Sequence, residues 1–504
     1  MRLAALLALA GACAKPAPPP EDLTFPASFL FGTAIAGFQV DMGCPTIAAS
    51  ECEDTHSDWY KWVTSPTLLA DPALGIVGDP PDAGPGFYEL YPADLDRAKN
   101  ELHNDAVRLS LEWSRLFPTS TAGVDGYLAL KAIADPKALA FYHAVFAAMK
   151  ARGLTPLVTL NHYTLPDWIH DAEGCHANLD TCSPRGWLDK DTTVREIAKY
   201  AGFAAKEFGG EVDWWATENE PFSAVVLAGY VQPSADRSNP PGVSLKWADA
   251  KLATLAMEEA HARMYDAVKA NDTVSAAGDG VAARVGLVYN LVAISPKSAK
   301  NPDDVQAAAD VGYLFNDMFL NAAINGDVDT NYDGKTTHRD DLAGRMDYLG
   351  VNYYVHLTVE GLGASLDPLV SPKLTFNPLT LKTDWTDAAG IGPVLAHAHA
   401  TWNLPLVVTE TGREDAANTG VAAKWVADTL TYTRRAMSAG ADVRGYFYWT
   451  LMDNYEWNHG MTIRMGLYAV DKADPAKTRR ARSGVAVYGR IAGARSVPPD
   501  LAAP

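Results

Sequence analysis

With 504 residues, 48% apolar and 20% charged, the chain can bury a large core and is too apolar for global disorder. Its formal charge of −19, with no basic run to offset it, excludes nucleic acid and anionic membrane surfaces as partners and suits a neutral substrate. Thirteen Trp within 10% aromatic residues fit packing against sugar rings, although a large core uses such residues as well.

In chain order the first predicted element is MRLAALLALAGAC, residues 1–13, one Arg followed by a short apolar run ending in small residues, which reads as an export signal. The run is too short to span a bilayer. Cys13 after Ala10-Gly11-Ala12 resembles a bacterial lipoprotein processing site, with the usual Leu displaced to Leu9. Lipidation there would place the protein in the cell envelope, periplasmic or on the outer membrane, and make that anchor its only membrane contact; otherwise it is secreted. Residues 14–24 form a Pro-rich tether.

From residue 25 strand and helix candidates alternate. The strands are FLFGTAIA near 31, AVRLSLEW near 107, PLVTLNH near 157, VDWWATEN near 213, TVSAAG near 273, DYLGVNYY near 348, PLVVTETG near 406 and VRGYFYWTL near 444. Helical periodicity marks ALAFYHAVFAAMKARG, TTVREIAKYAGFAAKEFG, KWADAKLATLAMEEAHARMYDAVKA and VAAKWVADTLTYTRRAMSAG. Eight such units predict an α/β fold, a single (β/α)8 TIM barrel over residues 25–490 with long βα loops and a C-terminal tail at 491–504. A doubly wound sheet is the rival, but no GxGxxG or GxxxxGK[ST] turn follows the first strand.

Polar and aromatic residues gather at the carboxyl ends of these strands: Gln39, Arg108, Trp113, His162, Asn219 with Glu220, Asn352 with Tyr354, Glu410 and Trp449. A barrel brings those ends to one mouth, where a hydroxyl-rich ligand would partner groups that are costly to bury alone. Glu220 and Glu410 end the fourth and seventh strands and are candidates for the two carboxyl groups that glycosidic cleavage needs. Their separation, about 5 Å for retention or about 6.5 to 9.5 Å for inversion, is not readable from sequence. Arg108 and Tyr354 are expected to hold Glu410 ionised, while aromatic walls keep Glu220 protonated. In WATENEP, Glu218 and Glu220 face the same side of an ideal strand, so alternation does not choose between them.

FLFGTAIAGFQVDMG, RLSLEWSRLFP, LNHYTLPDW, WATENEP, YLGVNYY, VVTETG and GYFYWTLMDNYEWNHGMTIRMGLYAVD resemble, in order, the motifs of glycoside hydrolase family 1, the retaining β-glucosidases and β-galactosidases. AGFQVDMG, SDWYKWV, GPGFYELY and RLSLEWSRLFP are most similar to its archaeal-type branch. The resemblance implies a TIM barrel with Glu220 as acid/base and Glu410 as nucleophile, and no organic cofactor. It implies sugar contacts from Gln39, His162, Asn219, Glu456 and Trp457, a platform at Trp449, and Arg108, Tyr354 and Asn352 beside the nucleophile; Glu218 is left as a hydrogen-bonding neighbour. Three positions depart from the family: Thr411 stands for the usual Asn, Tyr163 for Trp and Met465 for Phe. The rival readings are an enzyme that mainly transfers glycosyl groups, a 6-phospho-β-glycosidase, which Glu456 disfavours by charge, and an inactive sugar-binding barrel.

Two further features lie outside those motifs. Cys44 with Cys52 and Cys175 with Cys182 form short-range disulfide candidates, metal binding being weaker because no CxxC spacing occurs. DTNYDGKTTHRD places Asp329, Asn331, Asp333, Gly334, the Lys335 carbonyl, Thr337 and Asp340 at EF-hand spacing, a possible structural calcium site or an Asp-rich surface turn.

Overall fold

The computed structural model describes residues 21–362, 375–376 and 380–504. Residues 1–20, with the export-signal and Cys13 readings, lie outside the described residues. Eight parallel strands close a barrel: β1 (Leu30–Ala34), β2 (Ala106–Ser110), β3 (Thr155–Asn161), β4 (Trp214–Asn219), β5 (Arg284–Asn290), β6 (Tyr348–Asn352), β7 (Leu406–Thr411) and β8 (Val443–Trp449), with β1 paired to β8. A helix returns the chain after each: α1 (Phe87–Asn100), α2 (Pro136–Ala151), α3 (Lys190–Phe208), α4 (Trp247–Asn271), α5 (Pro302–Gly312), α6 (Ile391–Trp402), α7 (Val421–Ser438) and α8 (Ser483–Ala494). This is the expected (β/α)8 barrel.

Local chemistry explains where α2 begins. α2 begins at Pro136 because Asp135 accepts hydrogen bonds from the amides of Lys137 and Ala138, an N-cap followed by a helix-compatible proline. The barrel interior is filled by small and large side chains in turn, Ala34, Ala106 and Ala216 among Leu157, Val288, Tyr348, Val407 and Phe447. A larger apolar layer lies between the strands and the helices.

Two expectations are corrected. The fifth strand is Arg284–Asn290, not TVSAAG, because the Asp213 carboxylate accepts the amides of Ala276 and Ala277 at 2.6 and 2.7 Å and folds that stretch into a turn. Residues 491–504 are no loose tail: α8 runs to Ala494, and Ile491, Val497 and Ala503 are buried.

Residues 21–29 approach the amino ends of the strands. There the Phe25 amide donates to the Arg495 carbonyl at 2.8 Å, and Arg495 pairs with Asp105, which precedes β2, at 2.9 Å. A hollow of about 780 Å³ opens on the same face, between Leu30, Thr155, Trp214, Arg284 and Val443, far from the carboxylates at the other ends of the strands. No helix among the described residues is long and apolar enough to cross a membrane.

Candidate active site

β2, β4, β6 and β7 deliver Arg108, Asn219, Asn352 and Glu410 to the carboxyl-end mouth, and all four are buried. The Arg108 guanidinium spreads its donors over three strands. Nε donates to Thr159 Oγ1 at 3.0 Å, Nη2 to Asn219 Oδ1 at 2.7 Å and Nη1 to Glu410 Oε1. Tyr354 donates to the other Glu410 oxygen at 2.8 Å. Both oxygens of Glu410 are therefore oriented, as expected. Burial pushes its pKa up to about 7, with Arg108 opposing and the Glu220 charge adding to the rise.

Glu220 follows β4 with φ 45°, in the left-handed region, which turns its side chain into the mouth at the start of the helix Pro221–Val231. Asn352 Nδ2 donates to Glu220 Oε1 at 2.7 Å, and Tyr163 donates to Oε2 at 3.0 Å. Asn219 Nδ2 donates to the Tyr163 hydroxyl at 2.9 Å and lies 3.2 Å from His162 Nε2. Tyr163 and Trp457 also have positive φ, 74° and 54°. Three non-glycine residues in so costly a conformation at one mouth fit a functional site.

The predicted sugar-contacting residues come together. Gln39 Nε2 donates to Glu456 Oε2 at 3.0 Å, and His162 stacks between Trp449 and Trp457 at 5.8 and 5.9 Å. Gln39 Oε1 and His162 Nδ1 are buried without a partner among the described residues, which fits a ligand carrying hydroxyl groups. Burial, helped by the positive charges of Arg108 and Arg237, holds the His162 pKa well below 6.5, so the ring is neutral. Glu456 is raised by burial, and Arg237 lowers it from 3.9 Å.

Other residues fall elsewhere. Trp113 opens a short helix and packs on Trp168 and Tyr200, outside the mouth. Glu218 makes no support: both its oxygens are buried without a partner among the described residues, and the β4 register against β5 shifts between Ala216 and Asn219. Burial and the neighbouring Glu258 of α4 raise its pKa well above the carboxylate range. Tyr163 and Arg237 were not singled out as functional. The Tyr163 substitution for Trp was the available signal, and Arg237 lies in a loop without periodicity.

The cysteines form Cys44–Cys52 and Cys175–Cys182 disulfides, with Cα separations of 6.1 and 4.9 Å. In the Asp-rich loop Asp329 accepts from the amides of Asn331, Asp333 and Gly334 and from the Tyr313 hydroxyl. Lys335 pairs with Asp333, and Thr337 pairs with Val328 in a two-stranded sheet. Asp340 is fully exposed beside His338, so the structure does not bring this position to the others. Among the described residues no group of three His, Cys, Asp or Glu is arranged to hold a metal ion.

Comparison with known proteins agrees with this geometry. The family model described as glycosyl hydrolase family 1 matches residues 21–496. A β-galactosidase of Pyrococcus woesei is 33% identical, over 93% of this chain and 96% of its own. A β-galactosidase of Saccharolobus solfataricus is also 33% identical, over 93% and 95%. The crystal structure of the β-glycosidase from Thermosphaera aggregans superposes with a TM-score of 0.80 at 27% identity, covering 95% of this chain and 98% of that one.

Proposed function

The chain belongs to glycosyl hydrolase family 1 and is a retaining β-glycosidase, and from that premise we propose that Glu410 is its nucleophile and Glu220 its acid/base. The proposed substrates are β-linked glucose or galactose at the ends of short oligosaccharides, or aryl and alkyl glycosides. The observation that carries the assignment is the fixing of Glu410 by Arg108 and Tyr354 on its two oxygens, opposite a second buried carboxyl with different partners.

In the first step a Glu410 oxygen attacks the anomeric carbon while the glycosidic C–O bond breaks and Glu220 gives its proton to the leaving oxygen. Arg108 and Tyr354 aim the attacking carboxylate, and Asn352 aims Glu220. In the second step Glu220, now a carboxylate, takes a proton from water as that water attacks the anomeric carbon and releases Glu410. Gln39, His162, Asn219, Glu456 and Trp457 hold the ring hydroxyls, with Trp449 beneath the ring, and no cofactor enters any step.

A panel of nitrophenyl β-glycosides tests this reading with Glu220→Ala and Glu410→Ala beside wild type. Loss of the acid/base should lower turnover of poor leaving groups by about 10²–10⁴-fold. Azide should rescue Glu410→Ala to an α-glycosyl azide and Glu220→Ala to the β product. No turnover of any β-glycoside by folded wild type removes the proposal.

We also propose export with a lipid anchor at Cys13. Support comes from the amino-terminal composition and from the two disulfides, which suit an oxidising compartment. Fatty-acid labelling of Cys13 is the test.

A further inference from the structure

The Tyr163 hydroxyl donates to Oε2 of Glu220 at 3.0 Å, the only donor to that oxygen among the described residues. The ring is buried, tilted against Trp457 at 4.8 Å, with the Arg237 guanidinium 5.2 Å above its face. Since Asn219 Nδ2 donates to the Tyr163 oxygen, the hydroxyl proton is free to point at Glu220. Thr409 donates to Asn352 Oδ1 at 2.8 Å, which leaves the Asn352 amide nitrogen facing Glu220 Oε1. Both oxygens of Glu220 thus meet donors. Donors aimed at the oxygens of a carboxyl group stabilise its charged form.

We propose that Tyr163 is a positioning residue for the reaction: its hydroxyl holds Oε2 of Glu220 and favours the carboxylate formed once the proton has passed to the leaving oxygen. The inference rests on Glu220 being the acid/base. Tyr163 thereby sets where activity falls on the alkaline side, because glycosylation needs Glu220 protonated. It also readies Glu220 to act as base in the second step.

Charged and titratable groups surround Glu220 and its partners Tyr163 and Asn219 from several elements. Glu410 and Tyr354 act on Glu220 from the β7 and β6 side, while Arg108 on β2 and His162 at the end of β3 bond its neighbour Asn219. Tyr289 on β5 and Glu456 from the loop after β8 also act on Glu220, and Arg237 from the loop after β4 lies over the Tyr163 ring. Tyr163→Phe changes none of them and keeps the ring that packs on Trp457.

The test is the pH profile of kcat/KM for 4-nitrophenyl β-glucoside and β-galactoside. In Tyr163→Phe the alkaline limb should move up by about one pH unit with KM nearly unchanged. With 3,5-difluorotyrosine placed at 163, a stronger donor of similar shape, the limb should move down. A limb that stays in place in a Phe variant melting at the wild-type temperature overturns the proposal; if that variant does not fold, the difluorotyrosine enzyme decides by the same criterion. Failure of the underlying assignment looks different, because Glu220→Gln would then hydrolyse a poor leaving group at the wild-type rate.

Discussion

Arg108 shows how one side chain governs the state of another. Its guanidinium is the largest influence lowering the pKa of Glu410, whose burial pushes it up to about 7. As the proposed nucleophile Glu410 attacks as a carboxylate, so kcat/KM should fall as pH drops below about 7. Arg108→Met removes the opposing charge, moving this acid limb to higher pH and lowering kcat/KM at pH 6 by about tenfold or more. An acid limb left in place by a folded Arg108→Met enzyme would falsify the coupling. Glu220 and Glu410 were legible because each sits in a short ordered motif at a strand end. Glu218 reads as a hydrogen-bonding neighbour in the sequence, yet both its oxygens are buried without a partner among the described residues where β4 shifts register. The role of Tyr163 needed three dimensions, since its partners Asn219 and Glu220 lie 56 and 57 positions away.

At the level of elements, seven strands and four long helices follow from apolar patterning, while the fifth strand does not. TVSAAG has strand composition, yet a single carboxylate, Asp213, takes two of its amides out of any ladder. Such a long-range side-chain bond leaves no periodic trace. The Asp-rich loop gives a second case. Its spacing matches a calcium loop, but Asp329 closes the turn on three backbone amides and the position-12 residue, Asp340, is fully exposed. Treatment with chelator, followed by verified metal removal, should therefore leave the melting midpoint unchanged; a fall of several degrees would restore calcium as a structural ion. The Cys44–Cys52 bridge sits just past the helix Gly37–Val40 that carries Gln39, so one covalent loop lies beside a proposed sugar-contacting residue.

For the whole molecule, the count of strand and helix units gave the closed barrel, and the barrel gave the convergence of distant residues on one mouth. The position of the large hollow at the opposite face was not legible, because it depends on how loops leave the strand starts rather than on any local pattern. The lipid-anchor proposal belongs to this scale. A radioactive fatty acid should label the wild-type protein and leave Cys13→Ser unlabelled, with the variant recovered away from membranes; equal labelling of both removes the anchor. The described chain begins on the amino-end face, where Phe25 and Arg495 hold it, and the carboxylates lie at the other end of the strands. From Cys13 to Glu21 the backbone reaches at most about 28 Å. A molecule moored there is held from the face opposite its opening, which leaves that opening accessible to diffusing glycosides.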